Sequence, residues 1–219
     1  VEMACDWETV EERLRSHGQY PELFRRAFGI KNKEQIDRGL TARALAQFQR
    51  SLVSFDAKYD RVQRGEVEFT PSERRGWTIF FDASPEVPAS ECNHCHVDPL
   101  FTSREFFNNG LDGPADLTGF SDRGLGEVTG RYYDNGKFLA PTLRNIELTA
   151  PYMHDGRFAT LEEVIEHYNS GGHFGPNVSP NIRPLHLAES DKRDLIAFLK
   201  TLTDTTVLHN PAFRPPVQQ

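Results

Sequence analysis

Methionine and cysteine are scarce in this chain of 219 residues, which has two Met and three Cys, and long apolar runs are missing. No stretch approaches the ~18 consecutive apolar residues that a membrane-crossing helix needs, so no membrane span is expected. No Lys/Arg tract stands out, and the net charge is −7. Nucleic-acid binders draw their affinity from clustered cations, so that class is excluded. A mild acidic excess would suit a partner with a basic docking face, although solubility alone accounts for it. The opening Val1-Glu2-Met3-Ala4-Cys5-Asp6 has neither a basic nor an apolar region and does not read as a signal peptide. It lacks an initiator Met, so a processing site or an incomplete reading is expected at that end. No internal repeat is visible.

What is present reads mainly as helix. Trp7, Val10 and Leu14 recur at helical spacing, and Pro21-Glu22-Leu23-Phe24 opens a short segment that Gly29 can close. A longer helix fits residues 34–55, with Ile36, Leu40, Ala44, Leu45, Phe48 and Leu52 on one stripe. Gly65 to Pro71 is a break, after which Thr70-Pro71-Ser72-Glu73 starts a helix over 71–82 that carries Trp77, Phe80 and Phe81. From 97 to 160 the chain is rich in Gly, Pro, Asn and Asp, which predicts loops with short helical turns; loops of that length usually serve a function or coat a ligand. Thr160-Leu161-Glu162-Glu163 is a capping-box start, and Gly171-Gly172 ends that helix. A last helix spans roughly Glu189 to Leu202, with Leu195, Phe198, Leu199 and Leu202 inward, and the Pro-rich tail after Asn210 is expected to be extended. The chain is long enough to bury a real core, as one large domain or two small ones.

Cys92-Asn93-His94-Cys95-His96 matches Cys-x-x-Cys-His, the attachment pattern of a c-type haem. Two cysteines three apart can reach the two vinyl groups of one porphyrin, and the adjacent imidazole then falls beneath the iron. His96 is therefore the expected proximal ligand, its other nitrogen donating to a backbone carbonyl. The 16 Phe suit a protein that wraps a large apolar ring. A zinc site would need a second Cys or His pair at ligand spacing, and Cys5 is the only other cysteine; it is read as a plain small residue. A redox dithiol is normally set beside a βαβ pattern, which is absent. Haem attachment also implies maturation outside the cytoplasm, hence a periplasmic setting.

The other axial position has two leading candidates. Met153 is the only Met downstream of the motif. Tyr168 follows Leu161, Val164 and Ile165 on the i, i+3, i+4, i+7 rule, so it shares the apolar face that would turn toward the ring, although an ordinary core tyrosine would do the same. His154, His167, His173 and His186 are further possible ligands. A thioether favours ferrous iron and suits simple electron transfer, whereas a phenolate favours ferric and higher states.

The run Ala140-Pro141-Thr142-Leu143-Arg144-Asn145-Ile146-Glu147-Leu148-Thr149-Ala150-Pro151-Tyr152-Met153-His154-Asp155-Gly156-Arg157-Phe158, followed by Thr160-Leu161-Glu162-Glu163, closely resembles the bacterial di-haem cytochrome c peroxidase/MauG family. The resemblance extends over essentially the whole chain. It implies a mainly α fold in which residues 63–219 are a C-terminal cytochrome c-like haem domain with long loops. Residues 1–62 would be the helical remainder of an N-terminal, peroxidatic haem domain. Family members carry two Cys-x-x-Cys-His motifs and this chain has one, so the missing motif is expected upstream of Val1.

The resemblance also assigns roles by position. Tyr168 matches the distal ligand of the C-terminal haem, as in MauG-like members, where the peroxidase branch usually has Met; Met153 then packs near the haem. The carbonyl oxygens of Thr149 and Pro151 match a calcium site between the two haems, and a hard cation on backbone oxygens is chemically reasonable. Glu2 matches the acid on the open side of the peroxidatic haem, where a carboxylate can move a proton between the two oxygens of hydrogen peroxide. One haem c on this chain, two in the intact enzyme and Ca²⁺ are the cofactors implied. The implied partners are hydrogen peroxide and an electron donor, either a small cytochrome, a cupredoxin or an oxidisable protein substrate; a homodimer is a further expectation. The alternatives are a mono-haem electron carrier and a zinc-stabilised helical module.

Overall fold

Helices and loops make up nearly all of the protein as seen in a computed structural model, which describes residues 5–213. The chain divides into two compact units, Val1–Val53 and Ser54–Gln219. In the first, helix α1 (Trp7–Ser16) is capped by the Asp6 side chain, and α2 (Tyr20–Phe28) carries Pro in its first turn and ends at Gly29 in a left-handed conformation. Helix α3 (Arg38–Ser51) starts later than the predicted span over 34–55. Asp37 is the reason: its carboxylate accepts the Leu40 N–H at 2.8 Å and caps the helix there. Residues Lys33–Gln35 form a separate 3₁₀ turn, and Ile36 lies outside α3, fully buried with Phe24 and Ile30. Leu40 packs against that cluster, whereas Leu45, Phe48 and Leu52 of the predicted stripe are exposed.

The second unit begins before the boundary drawn at residue 62, because α4 (Lys58–Gln63) is tied into it. Arg144 makes a bidentate pair with Asp60, at 2.9 and 2.8 Å, with both side chains buried. Tyr59 packs edge-on against Phe101 and Phe198 and donates its hydroxyl to Asp98 at 2.7 Å.

Helix α5 (Pro71–Phe80) starts with the expected capping box of Thr70 and Glu73 but stops two residues before 82. It crosses α8 (Glu189–Lys200) in the most extensive helix–helix contact of the unit. Gly76 permits the crossing, since a Cβ there would lie 1.9 Å from the Asp194 carbonyl oxygen. Leu195, Phe198, Leu199 and Leu202 all face inward as expected. The stretch between is largely loop, with one short helix, α6 (Leu125–Thr129), and an unanticipated two-stranded antiparallel ribbon, β1 (Phe106–Phe107) with β2 (Phe138–Leu139). Helix α7 (Leu161–Ser170) follows, with Thr160 and Glu163 satisfying each other's backbone N–H groups and Gly171 closing it at φ 86°. After α9 (Thr206–His209), Pro211–Phe213 form a 3₁₀ turn where an extended tail was expected. No helix among the described residues is long and apolar enough to cross a membrane.

Candidate functional site

A cavity of about 410 Å³, lined mainly by apolar side chains, lies in the second unit. Cys92, Cys95 and His96 all line it, as do Leu161, Val164, Ile165 and Tyr168 from the apolar face of α7. The sequence-predicted attachment motif and the predicted axial face therefore meet at one space. Cys92 and Cys95 are both free thiols. Burial pushes the Cys92 thiol up to about 12, and it also raises Cys95. Neither sulfur is poised as a thiolate nucleophile, which argues against dithiol redox chemistry.

Local backbone geometry sets the motif. Glu91 adopts a left-handed conformation at φ 60°, and Cys92–His94 form a single 3₁₀ turn after it. The His96 N–H then reaches back to the Cys92 carbonyl at 3.0 Å. The His96 ring is fixed by two carbonyl oxygens, Phe101 O at 3.1 Å and Pro141 O at 3.0 Å, both on Nδ1. Carbonyls only accept, so Nδ1 must carry the proton. Burial lowers the His96 pKa and keeps the ring neutral. The Nδ1–H tautomer leaves the Nε2 lone pair free, the state an iron-binding histidine needs.

Tyr168 has a buried hydroxyl whose pKa is raised by burial, against a smaller lowering by Asn109. The Asn109 amide lies 3.2 Å from that hydroxyl and 3.6 Å from the Met153 sulfur. Met153 also lines the cavity. The two axial candidates thus share one neighbour, and sequence reasoning missed it. Asn108-Asn109-Gly110 signals only a turn, and nothing local marks Asn109 as a contact of a residue 59 positions away.

Of the histidines, His154 sits at the cavity wall, exposed and stacked on Phe138 with ring centroids 3.6 Å apart. His167 gives its Nε2 to the Asn109 carbonyl at 3.1 Å, while His173 and His186 are exposed and do not line the cavity. Thr149 and Pro151 lie on an exposed turn, and among the described residues neither carbonyl accepts a hydrogen bond. Glu2 lies outside the described residues. Among the described residues, one group of metal-capable side chains comes together, Asp82, Glu91 and His94, and it includes neither motif cysteine. The four-ligand zinc reading therefore finds no partners for Cys92 and Cys95.

The donor set fits a c-type haem. Two thiols and one imidazole with a free Nε2 open into an apolar cavity, and a phenol and a thioether line the same cavity. Comparison with known proteins points the same way. The sequence profile described as "Di-haem cytochrome c peroxidase" matches residues 1–68. The chain is 37% identical to the methylamine utilization protein MauG of Methylorubrum extorquens, over 92% of this chain and 54% of that protein. It is 33% identical to the cytochrome-c peroxidase IdrP1 of Pseudomonas sp. (strain SCT), over 96% of this chain and 61% of that protein. Among solved structures, a MauG-like protein associated with microbial copper homeostasis superposes with a TM-score of 0.80 at 37% identity, covering 96% of this chain and 66% of that one. The chain thus spans a little over half the length of the curated relatives it matches.

Proposed function

The chain belongs to the family of di-haem cytochrome c peroxidases that includes the MauG proteins, and from that premise we propose that it is the haem-c electron-transfer part of a MauG-like di-haem peroxidase, relaying electrons to a second, peroxidatic haem that reduces hydrogen peroxide. The observation that carries this reading is the convergence of Cys92, Cys95, His96 and Tyr168 on one apolar cavity. A haem bound there supplies one-electron chemistry at a potential set by its axial ligands and its burial.

The residues of this chain have distinct tasks in that reading. Cys92 and Cys95 would tether the ring covalently. His96 would offer its Nε2 to the iron, its ring held in orientation and made more basic by the Phe101 and Pro141 carbonyls. Tyr168 would hold the iron from the other side, with Met153 packing near the haem. Burial raises the pKa of the Tyr168 phenol and favours its neutral form, and a bound cation would favour the phenolate instead. The Thr149 and Pro151 carbonyls are suited to Ca²⁺, and Glu2 to proton transfer at the peroxidatic haem. The electron source is a small cytochrome, a cupredoxin or an oxidisable protein side chain, and the setting is the periplasm.

A second reading, a mono-haem electron carrier, is favoured by one observation: every residue assigned to this haem lies within the compact unit Ser54–Gln219. Haem content per chain, by pyridine haemochrome alongside intact mass on native material, separates the two. Two haems on a longer chain are expected. One haem on a chain that begins near Val1 would leave an electron carrier and remove the peroxidase assignment. Tyr168→Phe is expected to change the ferric spectrum, and an unchanged spectrum would remove Tyr168 as ligand.

A further inference from the structure

We infer that Asn109 is a positioning residue for the Tyr168 oxygen, donating an amide N–H that sets how strongly that oxygen can give charge to a bound haem iron. The inference rests on the reading of Tyr168 as the distal ligand.

The identity of the atom facing Tyr168 follows from its second neighbour. The Asn109 side chain approaches both the Tyr168 hydroxyl, at 3.2 Å, and the Met153 sulfur, at 3.6 Å, through the same atom. A thioether has no proton to give, so the atom facing it must be the amide nitrogen rather than the amide oxygen. Its two N–H bonds can serve one acceptor each. The oxygen is the stronger acceptor, and it becomes stronger still as a phenolate.

Asn109 is also held where it is. Its carbonyl accepts from His167 Nε2 at 3.1 Å, so two consecutive residues of α7 are tied to it, His167 through the backbone and Tyr168 through the amide. On one side, the Asn108 carbonyl accepts the Ser179 N–H at 2.9 Å and the Asn108 side chain donates to Asn177 at 2.8 Å. On the other, the Gly110 carbonyl accepts the His173 N–H at 2.7 Å. Gly110, at φ +68°, has room for no Cβ, which would lie 2.9 Å from the His173 carbonyl oxygen. A donor fixed by such a scaffold does not need to reorganise when charge develops on its acceptor.

The electronic consequence has a definite sign. A phenolate stabilises ferric iron by donating negative charge. An N–H aimed at the same oxygen withdraws part of that charge, so it makes the ferric state less favoured and raises the reduction potential. Removing the N–H should lower the potential, and replacing it by a carboxylate oxygen should lower it further.

The test is the midpoint potential of this haem in the holoprotein, by spectroelectrochemistry, for the native protein, Asn109→Leu, Asn109→Asp, Tyr168→Phe and Asn109→Leu/Tyr168→Phe. Asn109→Leu is expected to change the ferric-to-ferrous ratio at a fixed applied potential about tenfold toward ferric, which is ~59 mV for a one-electron couple. Asn109→Asp is expected to move it further the same way, and Asn109→Leu is expected to have no effect once Tyr168 is Phe. An unmoved potential in Asn109→Leu, or the same shift with and without Tyr168, would overturn the role. Thermal unfolding of each variant runs alongside, since a purely structural Asn109 would lower the unfolding midpoint and leave the potential in place. If Tyr168→Phe itself leaves the ferric spectrum unchanged, the ligand assignment fails and the Asn109 role that rests on it is overturned with it.

Discussion

At the scale of single residues, buried polar groups are decided by whether each finds a partner. Tyr59 shows the principle outside the cavity. It is buried in the core, yet its hydroxyl reaches Asp98 at 2.7 Å. Burial first, and then the Asp98 carboxylate that accepts its proton, raise the pKa of this phenol above its ordinary 10. A raised pKa means that the folded protein keeps a proton which the unfolded chain releases above about pH 10. The stabilisation is therefore complete below pH 10 and is lost as pH rises through the folded-state value. Tyr59→Phe should cost about 1.5–3 kcal/mol at neutral pH, the usual range for a hydrogen bond to a charged group. It should also flatten the alkaline fall in stability. Urea titrations between pH 7 and 11 check both, and a variant as stable as native at pH 7 would show that the bond adds nothing net.

The same scale shows what could be read from the sequence and what could not. Cys92, Cys95 and His96 are marked by a short local pattern, and Tyr168 by its helical register with Leu161, Val164 and Ile165. Asn109 carries neither mark. Its importance comes from a contact across 59 residues, made by a turn whose sequence says only that the chain bends. The Arg144–Asp60 pair, 84 residues apart, is hidden for the same reason, and it moves the unit boundary ahead of residue 62.

At the scale of elements, ends were more readable than surroundings. Capping boxes at Thr70–Glu73 and Thr160–Glu163 start α5 and α7 where the sequence placed them, because a cap is a local hydrogen bond. Helix α3 starts at Arg38 rather than at residue 34 because the Asp37 carboxylate caps it there. Leu40, Ala44, Leu45 and Phe48 of the predicted stripe do lie on α3, but periodicity says which face is apolar and not what covers it, and Leu45 is 57% exposed. The crossing of α5 and α8 lies beyond either kind of signal. It depends on Gly76, where a Cβ would meet the Asp194 carbonyl oxygen at 1.9 Å and the Phe198 Cβ at 2.8 Å. Backbone cannot swing aside as a side chain can, so Gly76→Ala must push the helices apart. Arg75 of α5 pairs with Asp191 and Asp194 of α8, so that separation also strains ion pairs. A loss of about 3 kcal/mol or more is expected, at the upper end of overpacking costs. It should appear as a lower denaturant midpoint of the holoprotein, and a midpoint equal to native would mean that the crossing has slack.

At the scale of the whole molecule, the cavity and the core of the second unit are one construction. Phe80, Leu161, Ile165, Leu185 and Leu199 belong to both the buried cluster and the cavity wall. An unfilled apolar cavity of about 410 Å³ would cost about 10 kcal/mol at ~24 cal/mol per Å³, an upper bound because water can enter an open space. That is comparable to the entire stability of a domain, about 5–15 kcal/mol. The second unit is therefore expected to gain much of its fixed packing from its occupant. The buried cluster of the first unit, Phe24, Ile30 and Ile36, lines none of that cavity and is expected to hold without its occupant. Replacing both attachment cysteines, Cys92→Ala/Cys95→Ala, and preparing the chain without haem should separate the two behaviours. Hydrogen exchange is expected to lose most of its protection in α5, α7 and α8, while α1 to α3 keep theirs. The direction of the argument would fail if α8 remained as protected as in the holoprotein, because the core around Phe198 would then close without the ring. If protection vanished everywhere, the first unit would be shown to depend on the second, and its own buried cluster would be too small to hold its helices.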